Sequence, residues 1–292
     1  MNASRLLLAL LTCAPAALPA FAHETADPDH AVPRLLPAAA ERSRVDIREA
    51  DGFRFISSNG LPDHATGAFP GPGNPNAIRA QDHAWRVALA PAKTGRETPL
   101  SGSLFGVALN GVPFDPGTAE CWGAARGSRP NPACAWREEA IVGGAGRLGL
   151  DANHAHVQPD GTYHYHGVPT GLVAALPPGD MVLVGYAADG FPVYVSRSNV
   201  WRSGWRLKPG TRPSGPGGAY DGRYTQDFVY AGGAGTLDRC NGTEIGGSYA
   251  YVLTDAFPFV PRCFSGTPDA SFRKGPPGGG PGGERRPPPF LR

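Results

Sequence analysis

A chain of 292 residues with 27 Lys+Arg against 25 Asp+Glu carries a formal charge of only +2, which excludes the strongly basic footprint of a nucleic-acid-binding domain. Its 41 Gly and 32 Pro approach the level of low-complexity chains, yet 41% hydrophobic content with 13 Phe, 9 Tyr and 5 Trp is enough for a core. That length allows one large β domain or two ordinary ones.

The chain opens with Arg5, an apolar run from Leu6 to Leu11, and Ala20-Phe21-Ala22 as a small-x-small cleavage site. These predict a signal peptide over residues 1–22 and hence a secreted or periplasmic protein. Lipid modification at Cys13 is a weaker alternative, because a small residue usually precedes such a cysteine and Thr12 stands there. Residues 23–45 are rich in Ala, Pro and charge and read as a loosely ordered leader. If cleavage follows Ala22, His23 becomes an amino-terminal residue able to chelate copper through its amine and ring. No second apolar stretch approaches the roughly 18 residues that span a bilayer, so no transmembrane segment is expected in the mature chain.

The body is expected over residues 46–266. A small unit recurs in it: Asn59-Gly60-Leu61-Pro62, Asn110-Gly111-Val112-Pro113, Asp189-Gly190-Phe191-Pro192 and Asp255-Ala256-Phe257-Pro258. Asn/Asp-Gly is turn chemistry, and Pro after an apolar residue suits a strand start where no ladder donor is needed. Apolar runs at Leu104–Leu109, Met181–Tyr186 and Tyr249–Leu253 precede three of the units. The fold class read from this is mainly β, with antiparallel hairpin-rich sheets, long Gly/Pro loops and little helix. One short helix is predicted over Ala135–Val142, stopped by Gly143-Gly144, with Glu138-Glu139 on its solvated face. Ser101-Gly102-Ser103 reads as a turn before a strand.

Half of the eight histidines fall in His154-Ala-His156-Val-Gln-Pro-Asp-Gly-Thr-Tyr-His164-Tyr-His166. Alternation on both sides of Pro159-Asp160-Gly161 predicts a β-hairpin with a three-residue loop and a bulge at Gly161. Gln158 then pairs with Thr162, His156 with His164 and His154 with His166. All four imidazoles lie on one face, and Ala155, Val157, Tyr163 and Tyr165 on the other. Segregation of this kind usually sets register.

Farther on, Lys208–Gly222 reads as a long surface loop. Leu237-Asp238, Asn241 and Gly247-Ser-Tyr-Ala-Tyr-Val252 then echo Leu150-Asp151, Asn153 and Gly161-Thr-Tyr-His-Tyr-His166. Ala250 and Val252 stand where the earlier copy has His164 and His166, so the histidines look like an addition to a tyrosine-bearing scaffold. Cys121, Cys134, Cys240 and Cys263, an even number in an exported chain, predict two disulfides. Three connectivities are open; pairing near neighbours closes loops of moderate length. Thiolate ligation of a metal competes, without a C-x-x-C spacing to support it. Residues 267–292 form a Pro/Gly-rich tail that cannot offset chain entropy and is expected to be disordered.

The run from Asn153 to Gly167, with Tyr163-His164-Tyr165-His166 at its heart, resembles the YHYH domain family. Ser58-Asn-Gly-Leu-Pro-Asp-His64, Gly185-Tyr-Ala-Ala-Asp-Gly-Phe-Pro-Val-Tyr194, Leu237-Asp-Arg-Cys-Asn-Gly242 and Phe257-Pro-Phe-Val-Pro-Arg-Cys-Phe264 are similar to it as well. The resemblance implies a secreted or periplasmic domain and brings no assigned catalytic residues with it.

Neutral imidazole is the commonest protein metal ligand and suits zinc and copper. His154, His156, His164 and His166 are therefore the expected metal ligands, with Asp151, His64, His83 and Asp189 as candidates to complete or orient the shell. Three ligands with an open position would permit metal-assisted hydrolysis; four would close the site. A hydrogen-bonded histidine ladder and a metal-free acid–base site are the competing readings. On the ladder reading the protein is a noncatalytic module for an envelope protein or glycan; the expected partner is otherwise open between a small molecule and an envelope component. Nucleophile-elbow, phosphate-loop and dinucleotide motifs are absent from the sequence.

Overall fold

A computed structural model describes residues 41–125, 131, 133–142, 145–198 and 200–275. The expected signal peptide, most of the leader, and the tail beyond residue 275 lie outside the described residues. The chain is mainly β, as its composition and alternation indicate. β1 (Val45–Ala50), β2 (Phe53–Ser58) and β3 (His83–Ala88) form an antiparallel three-stranded sheet. Asp51 and Gly52, both at positive φ, make the tight turn between β1 and β2. β4 (Thr98–Pro99) pairs with β15 (Cys263–Phe264), and β11 (Trp205–Leu207) with β12 (Phe228–Tyr230).

The main sheet has eight strands: β5 (Gly106–Ala108), β6 (Pro113–Phe114), β7 (Ala155–Val157), β8 (Tyr163–Tyr165), β9 (Met181–Ala187), β10 (Pro192–Ser196), β13 (Gly242–Ile245) and β14 (Ser248–Leu253). Their order is β13-β14-β10-β9-β5-β6-β8-β7, so β5–β8 and β9, β10, β13 and β14 are two halves laid out in mirror sequence from the centre. In the first half β5 and β6 form a hairpin, and β6 runs parallel to β8, which pairs antiparallel with β7. In the second, β9 and β10 form the hairpin, and β10 runs parallel to β14, which pairs antiparallel with β13. Where the halves meet, Gly106 pairs with Ala187 and Ala108 with Gly185. Leu109 N–H donates to Val184 O while Ala188 N–H donates to Phe105 O. The repeat thus extends to individual hydrogen bonds. Both meeting glycines are required sterically: a Cβ on Gly106 would lie 2.3 Å from Tyr186 O, and one on Gly185 2.3 Å from Val107 O.

The Asn/Asp-Gly units follow strands throughout, but only Asn110-Gly111 and Asp189-Gly190 lead directly into a partner strand. The core gathers Phe105, Val107, Phe114, Val184, Val193, Tyr163, Tyr165 and Tyr251 with Phe264 and Phe272. Phe272, in a short 3-10 turn over Ala270–Phe272, stacks on Trp85, so packing continues past Gly266. Near-neighbour disulfides join Cys121 to Cys134 and Cys240 to Cys263, which leaves none of the four sulfurs for thiolate ligation.

The helix expected at Ala135–Val142 is not formed. Its backbone donors go to neighbouring chain instead: Glu138 N–H to Glu120 O and Glu139 N–H to Arg223 O, with bridges Cys121↔Arg137 and Glu138↔Tyr224. The helical turns lie elsewhere, at α1 (Ala145–Leu148) and α2 (Thr170–Ala175). Glu138 and Glu139 are correspondingly buried rather than on a solvated face. The loop at Lys208–Gly222 is irregular as expected, but Arg212 within it is buried against Asp227.

Candidate metal centre

The hairpin bearing the histidines has the register that alternation requires. Ala155 faces Tyr165, His156 faces His164 and Val157 faces Tyr163. Gln158 N–H donates to Thr162 O, Gly161 N–H to Gln158 O, and Gly161 sits at φ 94° in the bulge. Ala155, Val157, Tyr163 and Tyr165 are buried in the core. Both tyrosine hydroxyls are anchored there: Tyr163 donates to Asp151 at 2.7 Å, and Tyr165 meets Asn110 Nδ2 at 3.0 Å and His64 Nε2 at 2.6 Å.

On the opposite face three rings converge. His164 Nε2 lies 3.0 Å from His166 Nε2, which lies 3.2 Å from His156 Nε2. Ring centroids are 4.7, 4.9 and 4.8 Å apart around the triangle, and one ligand nitrogen from each ring lies within 4.8 Å of the others. Tetrahedral zinc with bonds of about 2.0–2.1 Å sets nitrogens about 3.3–3.4 Å apart, so small ring rotations would admit an ion. His156 Nδ1 donates to Leu148 O at 2.8 Å and His164 Nδ1 to Thr162 O at 3.3 Å. A carbonyl can only accept, so each of these neutral rings presents a bare Nε2 lone pair to the centre. His166 Nδ1 is buried without a hydrogen-bond partner, with the Pro116 carbonyl beside it.

Burial depresses the basicity of all three rings. His164 is pushed down to about 3 by burial and then by His156. Burial, then His164, His156 and Arg262, hold His166 well below its ordinary value. Burial lowers half-buried His156 as well, while Leu148 O, Glu120 and Asp115 pull it back up. Neutral rings are the ligating form.

His154 is not in the group. Its left-handed backbone, φ 53°, breaks the alternation just before β7, and its Nδ1 donates to Val168 O at 2.9 Å. The repeat explains this. Asp151 Oδ1 accepts from Asn153 and Ala155 N–H and its Oδ2 from Tyr163; Asp238 Oδ1 accepts from Cys240 and Gly242 N–H and its Oδ2 from Tyr249. Three residues after each Asp, His154 and Asn241 take the same left-handed turn, Asn241 at φ 59°. His154 is a loop residue of the scaffold. In the second half Thr243 faces Ala250 where His156 faces His164, and Val252 stands at the place of His166.

The remaining expected shell residues are engaged elsewhere, although the charge of Asp151 still reaches the His156 ring. Asp151 serves its loop and Tyr163, and His64 sits on the tyrosine side. His83, on β3, stacks on Trp85 at 4.5 Å. Asp189 accepts from Tyr251 and Gly266 N–H in the second half, with its carboxyl raised by burial. The groups that do surround the histidines went unread in the sequence. Asp115 is held by Lys274 at 2.6 Å and Gln158 at 2.9 Å, and both ionic partners act on His164. Arg262 bridges the Pro116 carbonyl and Glu139, each at 2.6 Å. A single charge inside the apolar Val260-Pro261-Arg262-Cys263-Phe264 was the available signal for a buried ion pair. The other group in reach of one ion among the described residues is Glu97 with Cys240 and Cys263, whose two sulfurs are joined in a disulfide.

The family described as YHYH protein matches residues 84–266. The chain belongs to the YHYH protein family. The match takes in both halves of the repeat and all three converging histidines of this YHYH protein. No curated protein and no solved structure matches the chain. No helix among the described residues is long and apolar enough to cross a membrane, and two disulfides are consistent with an oxidising compartment.

Proposed function

We propose that this YHYH protein is exported and binds one metal ion, zinc or copper, through His156, His164 and His166, in the service of metal-assisted hydrolysis. One observation carries the metal reading: three Nε2 atoms face one another at 3.0 and 3.2 Å while two of the rings have their N–H committed to carbonyls. A metal-free ladder has one remaining proton, on His166. Placed on Nε2, it serves both neighbours only as a shared donor and leaves His166 Nδ1 as a buried acceptor beside a carbonyl. With an ion at the centre, all three Nε2 atoms ligate and all three Nδ1–H groups face backbone carbonyls, the usual outer shell of ligating histidine. Three protein ligands is the count of hydrolytic zinc sites, in which bound zinc acidifies water. Half-buried His156 marks the side open to approach.

The burial of His164 and His166 favours a second reading, a noncatalytic module for an envelope protein or glycan in which the histidines only brace the hairpin. Elemental analysis of protein without an affinity tag, after exposure to zinc and to copper and then dialysis, tests the metal reading. One ion per chain is expected. No stoichiometric metal after either exposure would overturn it.

A further inference from the structure

The carboxylate of Asp115 lies on the histidine face of the hairpin. β6 runs parallel to β8 with Phe114 paired to Tyr165, and Asp115 N–H donates to Tyr165 O at 3.0 Å. Phe114 packs against the Tyr165 ring in the core, so alternation turns the next residue of each strand, Asp115 and His166, to the opposite face. Gln158, which follows His156 on that face, donates to Asp115 Oδ2 at 2.9 Å. Asp115 is buried, and its charge is felt at both His156 and His164. It is not among the groups whose ligand atoms come within reach of one ion, so it is a neighbour of the centre and not a fourth ligand.

The other oxygen of Asp115 is taken by a cation from far along the chain: Lys274 Nζ meets Oδ1 at 2.6 Å. A packed segment delivers it. Phe272 is fully buried on Trp85, Arg273 bridges Ser103, and Lys274 N–H donates to Gly102 O at 2.8 Å. The Lys274 side chain is nevertheless 38% exposed, which leaves the ammonium a way to solvent. Asp115 lies inside the span that matches the family, residues 84–266, and Lys274 beyond it. Three neutral imidazoles leave the whole charge of a divalent ion uncompensated, and a low-dielectric interior makes that costly unless an anion shares the site. Asp115 is a buried anion on that face. With no ion bound, the same carboxylate is itself a buried charge that requires a cation, and Lys274 supplies it. An ammonium on Asp115 offsets the attraction of the carboxylate for an incoming ion.

We propose that Asp115 is the counter-charge of the metal centre and that Lys274 is its built-in competitor, an ammonium that holds Asp115 until a divalent cation enters the three histidines and that swings into solvent as the cation binds. This rests on the metal reading above and adds to it a control on affinity supplied from outside the span that matches the family.

The test is titration of the full chain with zinc and with copper(II), read by competition with a chromophoric chelator, in the parent, Asp115→Asn, Lys274→Met and the double variant. Asp115→Asn is expected to bind about ten-fold or more weakly than the parent, and Lys274→Met about ten-fold or more tightly. In the Asp115→Asn background the gain from Lys274→Met should vanish, because the ammonium then has no carboxylate to hold. Asp115→Asn removes a buried charge instead of stranding one, so it keeps the test decisive if Lys274→Met does not fold. The proposal is overturned, with the metal reading left standing, if Asp115→Asn binds as tightly as the parent, if folded Lys274→Met binds no more tightly, or if its gain is undiminished in the double variant. A parent that takes up neither metal overturns both.

Discussion

His164 and His166 have Asp115, Lys274, Arg262 and each other as charged or titratable neighbours, and half-buried His156 adds Glu120. Burial outweighs these neighbours and keeps the rings neutral in the folded chain. In the unfolded chain a histidine binds its proton near its ordinary value of about 6.5. Between that value and about 3 for His164, the unfolded state therefore holds more protons, and stability rises with pH. The contribution is complete above pH 6.5 and lost as the pH falls through that window. Urea denaturation of metal-free protein at pH 7 and pH 4 is expected to show a larger loss for the parent than for His164→Ala/His166→Val; equal losses would contradict this. Glu139 poses a second residue-scale question, because burial raises its carboxyl and Arg262 opposes that shift. Arg262→Met strands a fully buried acid and should cost about 3–5 kcal/mol. Adding Glu139→Gln should recover most of the loss in thermal and denaturant unfolding.

At the scale of elements, the hairpin was legible because its period-two pattern and Pro-Asp-Gly loop admit one register that separates tyrosine from histidine. The helix was misread because propensity over Ala135–Val142 is weak against tertiary pairing. Two bridges take up its backbone donors, a disulfide ties Cys134 to Cys121, and the adjacent acids pair with arginines outside the segment. Other elements depend on glycine for contact rather than for turning. At the centre of the sheet β5 and β9 approach so closely that Gly106 and Gly185 leave no room for a methyl group. Gly106→Ala and Gly185→Ala are each expected to destabilise by about 3 kcal/mol or more through overpacking. Gly117→Ala, with only Asp115 Oδ1 at 3.8 Å near its added carbon, should be close to neutral. Comparable unfolding midpoints for all three would refute the steric account.

Over the whole molecule, the two halves of the main sheet have one plan and different chemistry. The second half shows that the Asp loop, the tyrosine pair and the strand order stand with Ala250 and Val252 at the places of His164 and His166. Substituting His164→Ala and His166→Val gives the first half the second half's residues at those two places. That double variant is expected to keep its fold and its circular dichroism while binding no metal; collapse would mean that the histidines are structural.

The sequence alone contained the β class, the hairpin register, the buried tyrosine face, the even cysteine count and the echo between halves, because each is written in local spacing. Which three of the four histidines meet, which cysteines pair, and which charges enclose the centre were settled by contacts between residues far apart in the chain. A left-handed residue at His154 turns one imidazole aside, and Arg262, Glu139, Asp115 and Lys274 come together only when the sheet is assembled. Periodicity reports the face a side chain takes on its own strand, whereas convergence of nitrogens and burial of charge depend on what the rest of the fold places over that face.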